Sequence, residues 1–206
     1  MPHRLKILID IDSTLYDAGP LLAECFSHVF GMHEVPMHAW DFWADQIERE
    51  TFDAMIDEHF HAPAAIARQT PYLGAREAIE RWREAGHEIH VVSDRGIGAY
   101  DASADWLRAH RIHFDRLVCE RHIDKVAYVE REGIDLIIDD RPETLEGVAQ
   151  IGVPAATISY PYNARVRSLH PGIVGEPDWT RLAEGVNRLI DELAIRAQSH
   201  HDEEPA

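Results

Sequence analysis

Positive charge is in short supply in this chain. Its 206 residues hold 20 Lys and Arg against 37 Asp and Glu, a formal net charge of −17 with histidine neutral. Sequence-independent binding to a phosphate backbone needs clustered Lys and Arg, so nucleic acid is not an expected partner. A small anionic substrate held by a few local cations stays compatible with that balance. Cysteine is scarcer still. Cys25 and Cys119 lie far apart, without metal-ligand spacing, which gives no disulfide framework and suits a reducing compartment. No stretch approaches the roughly 20 apolar residues of a membrane span. The opening MPHRLKILID is charged and its apolar run is too short for a signal peptide. A cytoplasmic, soluble protein with no membrane partner is the expectation.

Hydrophobic residues make up 45% of the chain, enough for one large domain, or one domain with an insertion. Histidine is plentiful, at 14. Yet HEIH (His87 to His90) and HEVPMH (His33 to His38) both miss the His-Glu-x-x-His zinc spacing, so most histidines are expected on the surface or at caps. The polar end, residues 196–206, reads as a disordered tail.

Strand-like apolar runs alternate with helical patterns. Strands are expected at Leu5 to Ile11, His87 to Asp94, Arg116 to Cys119, Ile134 to Asp140 and Pro154 to Tyr160. Helices are expected over 75–86, 100–110, 142–152 and 178–193. The third of these starts on Pro142 and stops at Gly152. That alternation predicts an α/β fold, a Rossmann-like core with a parallel sheet covered by helices on both faces. Residues 18–72 break the rhythm. They hold no convincing strand, and Phe52, Met55, Ile56 and Phe60 recur on one helical face. The expected organisation is a core of 1–17 and 73–195, with 18–72 inserted after the first strand as a helical cap.

Ligands of doubly wound sheets collect at the carboxyl ends of the strands, so the polar residues there carry the chemistry. The first expected strand ends in Asp10 and Asp12, and the second in Ser93, Asp94 and Arg95. Lys125 opens a helix after the third, and the fourth ends in Asp139 and Asp140. Acids clustered this closely call for a cation, and oxygen-only ligands suit Mg²⁺. A hydroxyl and an ammonium match the oxygens of a phosphoryl group. One aspartate can then attack phosphorus while a second handles the proton.

Taken together, DIDST, HVVSD, Lys125 and IIDDRPE resemble the four motifs of the haloacid dehalogenase superfamily of phosphatases, over nearly the whole chain. The resemblance implies Asp10 as nucleophile and Asp12 as general acid/base. It places Ser93, Asp94 and Lys125 at the phosphate, and Mg²⁺ on Asp10, the Asp12 carbonyl and an acid of the Asp139–Asp140 pair. It also places a C1-type cap where the helical insertion falls. TPYLGAREAIERWREAG, LIIDDRPETLEG, SYPYNAR and DWTRL are further similar to segments of the 5′(3′)-deoxyribonucleotidases, which implies a (deoxy)nucleoside monophosphate as substrate. DIDST departs from that family's usual Asp-x-Asp-Gly, and SDRG from its Thr-Ser-Pro. SDR and IDDR also resemble the 3′-phosphatase domain of phage-type polynucleotide kinases, against which the charge of −17 argues. Another small phosphate ester is the alternative substrate.

In HAWDFW, Trp40, Phe42 and Trp43 either stack on a base or fill the cap's own core; with Arg95 they complete the candidate substrate pocket. Receiver domains share the acidic pair, hydroxyl and lysine, but their pair comes first along the chain and here Asp139–Asp140 comes last. Carbon–halogen hydrolysis needs no metal, so Asp12 and the acidic pair argue against it. The complete motif set argues against a non-catalytic binding protein.

Overall fold

In the computed structural model, residues 4–36 and 38–202 are described. Six strands form one parallel sheet: β1 (Lys6–Ile9), β2 (Glu88–Ser93), β3 (Arg116–Cys119), β4 (Leu136–Ile138), β5 (Ala155–Ile158) and β6 (Val174–Glu176). Their order is β3-β2-β1-β4-β5-β6, with every pairing parallel. The order reverses between β1 and β4, so the crevice where loops diverge opens beside β1.

The strands are apolar on both sides because both faces are buried. Ile7 pairs with Ile89 and Ile9 with Val91, all within one core cluster. Leu8, one residue out of phase, packs with Ile137 in the second cluster on the opposite face. Helices α4 (Ala75–Glu84), α5 (Tyr100–Ala109), α6 (Lys125–Glu132), α7 (Pro142–Gln150), α8 (Ala164–Leu169) and α9 (Trp179–Asp202) link or close the strands.

The insertion is helical, as expected. It contains α1 (Gly19–Phe30), α2 (Arg49–Met55), a π-turn (Ile56–Phe60) and α3 (Pro63–Ala67). Phe26 is fully buried and meets the rings of Phe30, Phe42 and Phe52. Trp43 stacks flat on Phe52 at 3.9 Å. Phe42 and Trp43 thus help build the insertion's own core.

Two expectations need correction. β6 was not anticipated: it is a three-residue edge strand containing Gly175, too short to display a period. The end of the chain was expected to be disordered from 196, but α9 continues to Asp202. Ala194, Ile195, Arg196, Ala197 and Gln198 are tolerated or favoured in helices, and no proline intervenes before Pro205. The rest of the expected tail, 203–206, lies outside the described residues. Most of the described histidines are half-buried or exposed, as expected, with His61, His87 and His90 the buried exceptions. His87 Nδ1 accepts the Leu5 amide at 3.2 Å, and His90 lies between Tyr128 and Glu88.

Candidate active site

Main-chain pairing brings the acids together. The Asp10 amide donates to the Ile138 carbonyl (2.9 Å), which sets the ends of β1 and β4 side by side, and the Asp139 amide donates to the Ala156 carbonyl of β5 (3.1 Å). α6 begins at Lys125, behind an N-cap in which Asp124 accepts the Ala127 amide at 2.9 Å. Lys125 Nζ then reaches between the two strand ends. It donates to Asp10 Oδ1 at 2.5 Å and Asp139 Oδ2 at 2.6 Å. Both oxygens of Asp139 are engaged, since Oδ1 accepts the Arg141 amide at 2.9 Å. Asp140 Oδ2 accepts from the Tyr162 hydroxyl at 2.6 Å, and Oδ1 has a long 3.4 Å contact from Thr14 Oγ1.

Burial pushes the Asp10 carboxyl up to about 7. The nearby Asp139 and Asp12 charges act in the same direction, and Lys125 offsets them only in part. Asp140 is likewise raised well above the carboxylate range by burial and by the Asp10 and Asp139 charges. Burial opposes the Lys125 ammonium, but Asp10 and Asp139 outweigh it and raise its pKa. One ammonium therefore serves an excess of buried carboxylates. Among the described residues, no three His, Cys, Asp or Glu side chains form a ready-made metal cluster.

Asp12 faces another way. Arg95, fully buried, forks onto it: Nε donates to Oδ2 at 3.0 Å and Nη2 to Oδ1 at 2.8 Å, while Nη1 donates to Ser103 Oγ at 2.9 Å. The Tyr16 hydroxyl donates to Oδ1 at 2.5 Å. Ser93 Oγ and His61 Nε2 each lie 3.4 Å from Oδ2. Burial alone would raise this carboxyl; Arg95 and His61 overcome it and hold Asp12 well below the usual range. Arg95, expected at the substrate, instead holds an acid, because a buried guanidinium must find a carboxylate.

The Asp-x-Asp loop also has structural support. Ser13 adopts φ 58°, a left-handed conformation that costs a side-chain-bearing residue and that glycine takes freely. Trp179 of DWTRL is fully buried and donates to the Thr14 carbonyl at 2.6 Å. The Tyr72 amide of TPYLG donates to the Leu15 carbonyl at 2.8 Å. Both motifs brace the loop that carries the acids.

A cavity spans this site and the insertion. Its walls include Asp10, Asp12, Lys125, Asp139 and Asp140, with Trp40, Phe42, Trp43, Phe52 and Phe60 opposite. Trp40 meets Tyr162 edge-on at 5.3 Å, and the Arg141 guanidinium lies 5.9 Å from its ring centre. Asp94 also lines the cavity; its carboxylate accepts the His122 amide and lies 3.5 Å from Arg141 Nη1. Sequence reasoning missed His61, Tyr16 and Tyr162 as site residues. Tyr162 lies within SYPYNAR, but His61 is one of 14 histidines and had no local signal.

No curated protein matches the chain by sequence. Solved structures of the same fold include a haloacid dehalogenase family hydrolase from Deinococcus radiodurans with bound phosphate and sodium. It is 15% identical, with a TM-score of 0.65, covering 90% of this chain and 96% of that one. A haloacid dehalogenase-like hydrolase from Streptococcus pneumoniae is 14% identical, with a TM-score of 0.63, covering 88% of this chain and 98% of that one. No helix among the described residues is long and apolar enough to cross a membrane. The family model described as 5′ nucleotidase, deoxy (pyrimidine), cytosolic type C protein matches residues 4–171. The chain therefore belongs to that nucleotidase family, and is a phosphatase of the haloacid dehalogenase superfamily.

Proposed function

We propose that this enzyme is a Mg²⁺-dependent phosphomonoesterase that carries the phosphoryl group through Asp10, with a (deoxy)nucleoside monophosphate as substrate. The observation that carries the reading is the meeting of Asp10, Lys125 and Asp139 at the ends of adjacent strands. The donor set fits a hard divalent cation, because the buried carboxylates outnumber the one ammonium and every donor is oxygen. Asp10 and Asp140 would hold the ion with the Asp12 carbonyl. Asp139 is the poorer ligand, with Lys125 and the Arg141 amide on its two oxygens. When bound, Mg²⁺ supplies positive charge to the phosphoryl oxygens.

The Asp10 carboxylate attacks phosphorus. The bond to the leaving oxygen breaks, and Asp12, which takes up a proton once one of the donor contacts to it has yielded, gives that proton to the oxygen. Asp12 then takes a proton from water as the water oxygen attacks the aspartyl phosphate. The bond between Asp10 and phosphorus breaks, inorganic phosphate leaves, and both aspartates return to their starting states. Ser93, Lys125 and the main chain at Asp94 bind phosphoryl oxygens. Residues 18–72 act as a cap over the core of 1–17 and 73–195, shielding the reaction from water. Trp40, which faces the cavity without belonging to the insertion's central stack, offers a ring to the base; the deoxynucleotidase family membership supports this choice.

A screen of phosphate esters, with Mg²⁺ and with chelator, tests the reading. Phosphate release from nucleoside monophosphates that depends on Mg²⁺ is expected. Release from no ester, or release undiminished by chelator, would overturn it.

A further inference from the structure

Among the side chains on Asp12, His61 alone comes from the helical insertion. Tyr16, Ser93 and Arg95 belong to β1, β2 and the loops that follow them. His61 is buried, and its two ring nitrogens face opposite ways. Nε2 lies 3.4 Å from Asp12 Oδ2, and Nδ1 lies 3.4 Å from Arg121 Nη2. A guanidinium can only donate, so Nδ1 is the acceptor and Nε2, the nitrogen on the Asp12 side, carries the hydrogen.

The local backbone is what allows this. α2 runs into the π-turn, which closes with the His61 amide on the Ile56 carbonyl at 2.7 Å. The wider turn takes up one extra residue. Without it, the ring would be displaced by roughly 100° about the helix axis. Arg121 joins the insertion to the core: Nη1 donates to the Asp94 carbonyl at 3.0 Å, and Nη2 pairs with Asp57 of the π-turn. His122 Nε2 pairs with Asp53 of α2 at 3.2 Å. Insertion, Arg121, His61 and Asp12 thus form one continuous polar chain.

We infer that His61 is a positioning residue for Asp12, through which seating of the insertion is transmitted to the group that handles the proton. The inference rests on the proposed role of Asp12. With every donor in place, the Asp12 carboxylate is saturated. Proton transfer then requires one contact to yield, and the His61 contact can yield without disrupting the core.

The test compares the single-turnover release of the leaving alcohol from two esters on purified protein with Mg²⁺, the step that precedes attack by water, and every loss below is in that release. Ethyl phosphate has a poor leaving group that needs a proton, whereas p-nitrophenyl phosphate has a good one that does not. His61→Phe keeps the ring and removes the donor; His61→Gln restores a donor near Nε2. For His61→Phe, the rate of ethanol release should fall roughly 10- to 100-fold, with the half-saturating ester concentration and the melting temperature little changed and the first-turnover release of p-nitrophenol nearly intact. His61→Gln should recover part of the loss. Equal losses on both esters, or His61→Gln no better than His61→Phe, would overturn the inference. Asp12→Asn is the control for the parent reading. If it too loses both esters equally, the role of Asp12 is wrong; if it discriminates and His61→Phe does not, only the role of His61 is.

Discussion

Arg95→Met removes a fully buried guanidinium whose Nε and Nη2 both engage Asp12, and whose Nη1 engages Ser103. Taking away one partner of a buried ion pair leaves the other uncompensated, at a cost of about 3–5 kcal/mol. Asp12 keeps Tyr16, Ser93 and His61, and its side chain is 21% exposed, so the lower end applies. At roughly 2–4 °C per kcal/mol for a chain of this size, a loss of about 3 kcal/mol lowers Tm by roughly 6–12 °C. Asp12→Asn should cost a similar amount, because it strands Arg95. The double variant removes both charges and should lose less than the two singles together, with a coupling above about 1 kcal/mol. Urea unfolding of all four proteins in chelator measures the cycle. Additivity within about 0.5 kcal/mol would refute the claim that this pair is bound together in the folded state.

Mg²⁺ and protons should compete at Asp10. Its carboxyl is pushed up to about 7, so it is largely protonated at pH 6 and must release that proton to bind metal. The Mg²⁺-induced rise in Tm should be larger at pH 8 than at pH 6, and smaller in Asp140→Ala; a rise as large at pH 6 would count against metal at this acid. Trp43, flat on Phe52 and 8% exposed, should lose about 3–5 kcal/mol of stability as Trp43→Ala, seen in denaturant unfolding. Trp40→Ala should instead lose about 1–3 kcal/mol of binding to a deoxynucleoside monophosphate and almost nothing for a short alkyl phosphate; parallel losses in kcat/KM on both esters would remove Trp40 from base recognition.

The parts of the fold legible in the sequence were those with a strong period or a clear stop. β1, β2, β4 and β5 are runs of residues such as Ile7 to Ile9 and Val91 to Val92, buried from both faces, while the edge strand β3 shows as the short apolar run of Leu117 and Val118. β6, with three residues and a glycine, had no comparable signal. Asp10, Ser93, Lys125, Asp139 and Asp140 were legible because the site is built where strands end, and strand ends can be located from the apolar runs before them. Geometry across distant segments was not legible. Arg95 follows the motif serine by two residues, yet its side chain turns inward to Asp12 and Ser103. His61 reaches Asp12 only through the π-turn, a departure of one residue in hydrogen bonding that leaves no mark in periodicity. The three aromatics of HAWDFW separated by packing: Phe42 meets Phe26 and Trp43 meets Phe52, while Trp40 meets Tyr162.

The most direct test of the account is to find the phosphoryl group on Asp10. The enzyme would be mixed with a deoxynucleoside monophosphate and Mg²⁺, quenched in acid during turnover, and its peptides analysed by mass spectrometry. The account predicts one added phosphoryl group on the peptide containing Asp10, absent from Asp10→Asn, which should also have lost turnover by several orders of magnitude. Steady turnover with no phosphoryl group on that peptide, together with wild-type activity in Asp10→Asn, would contradict it.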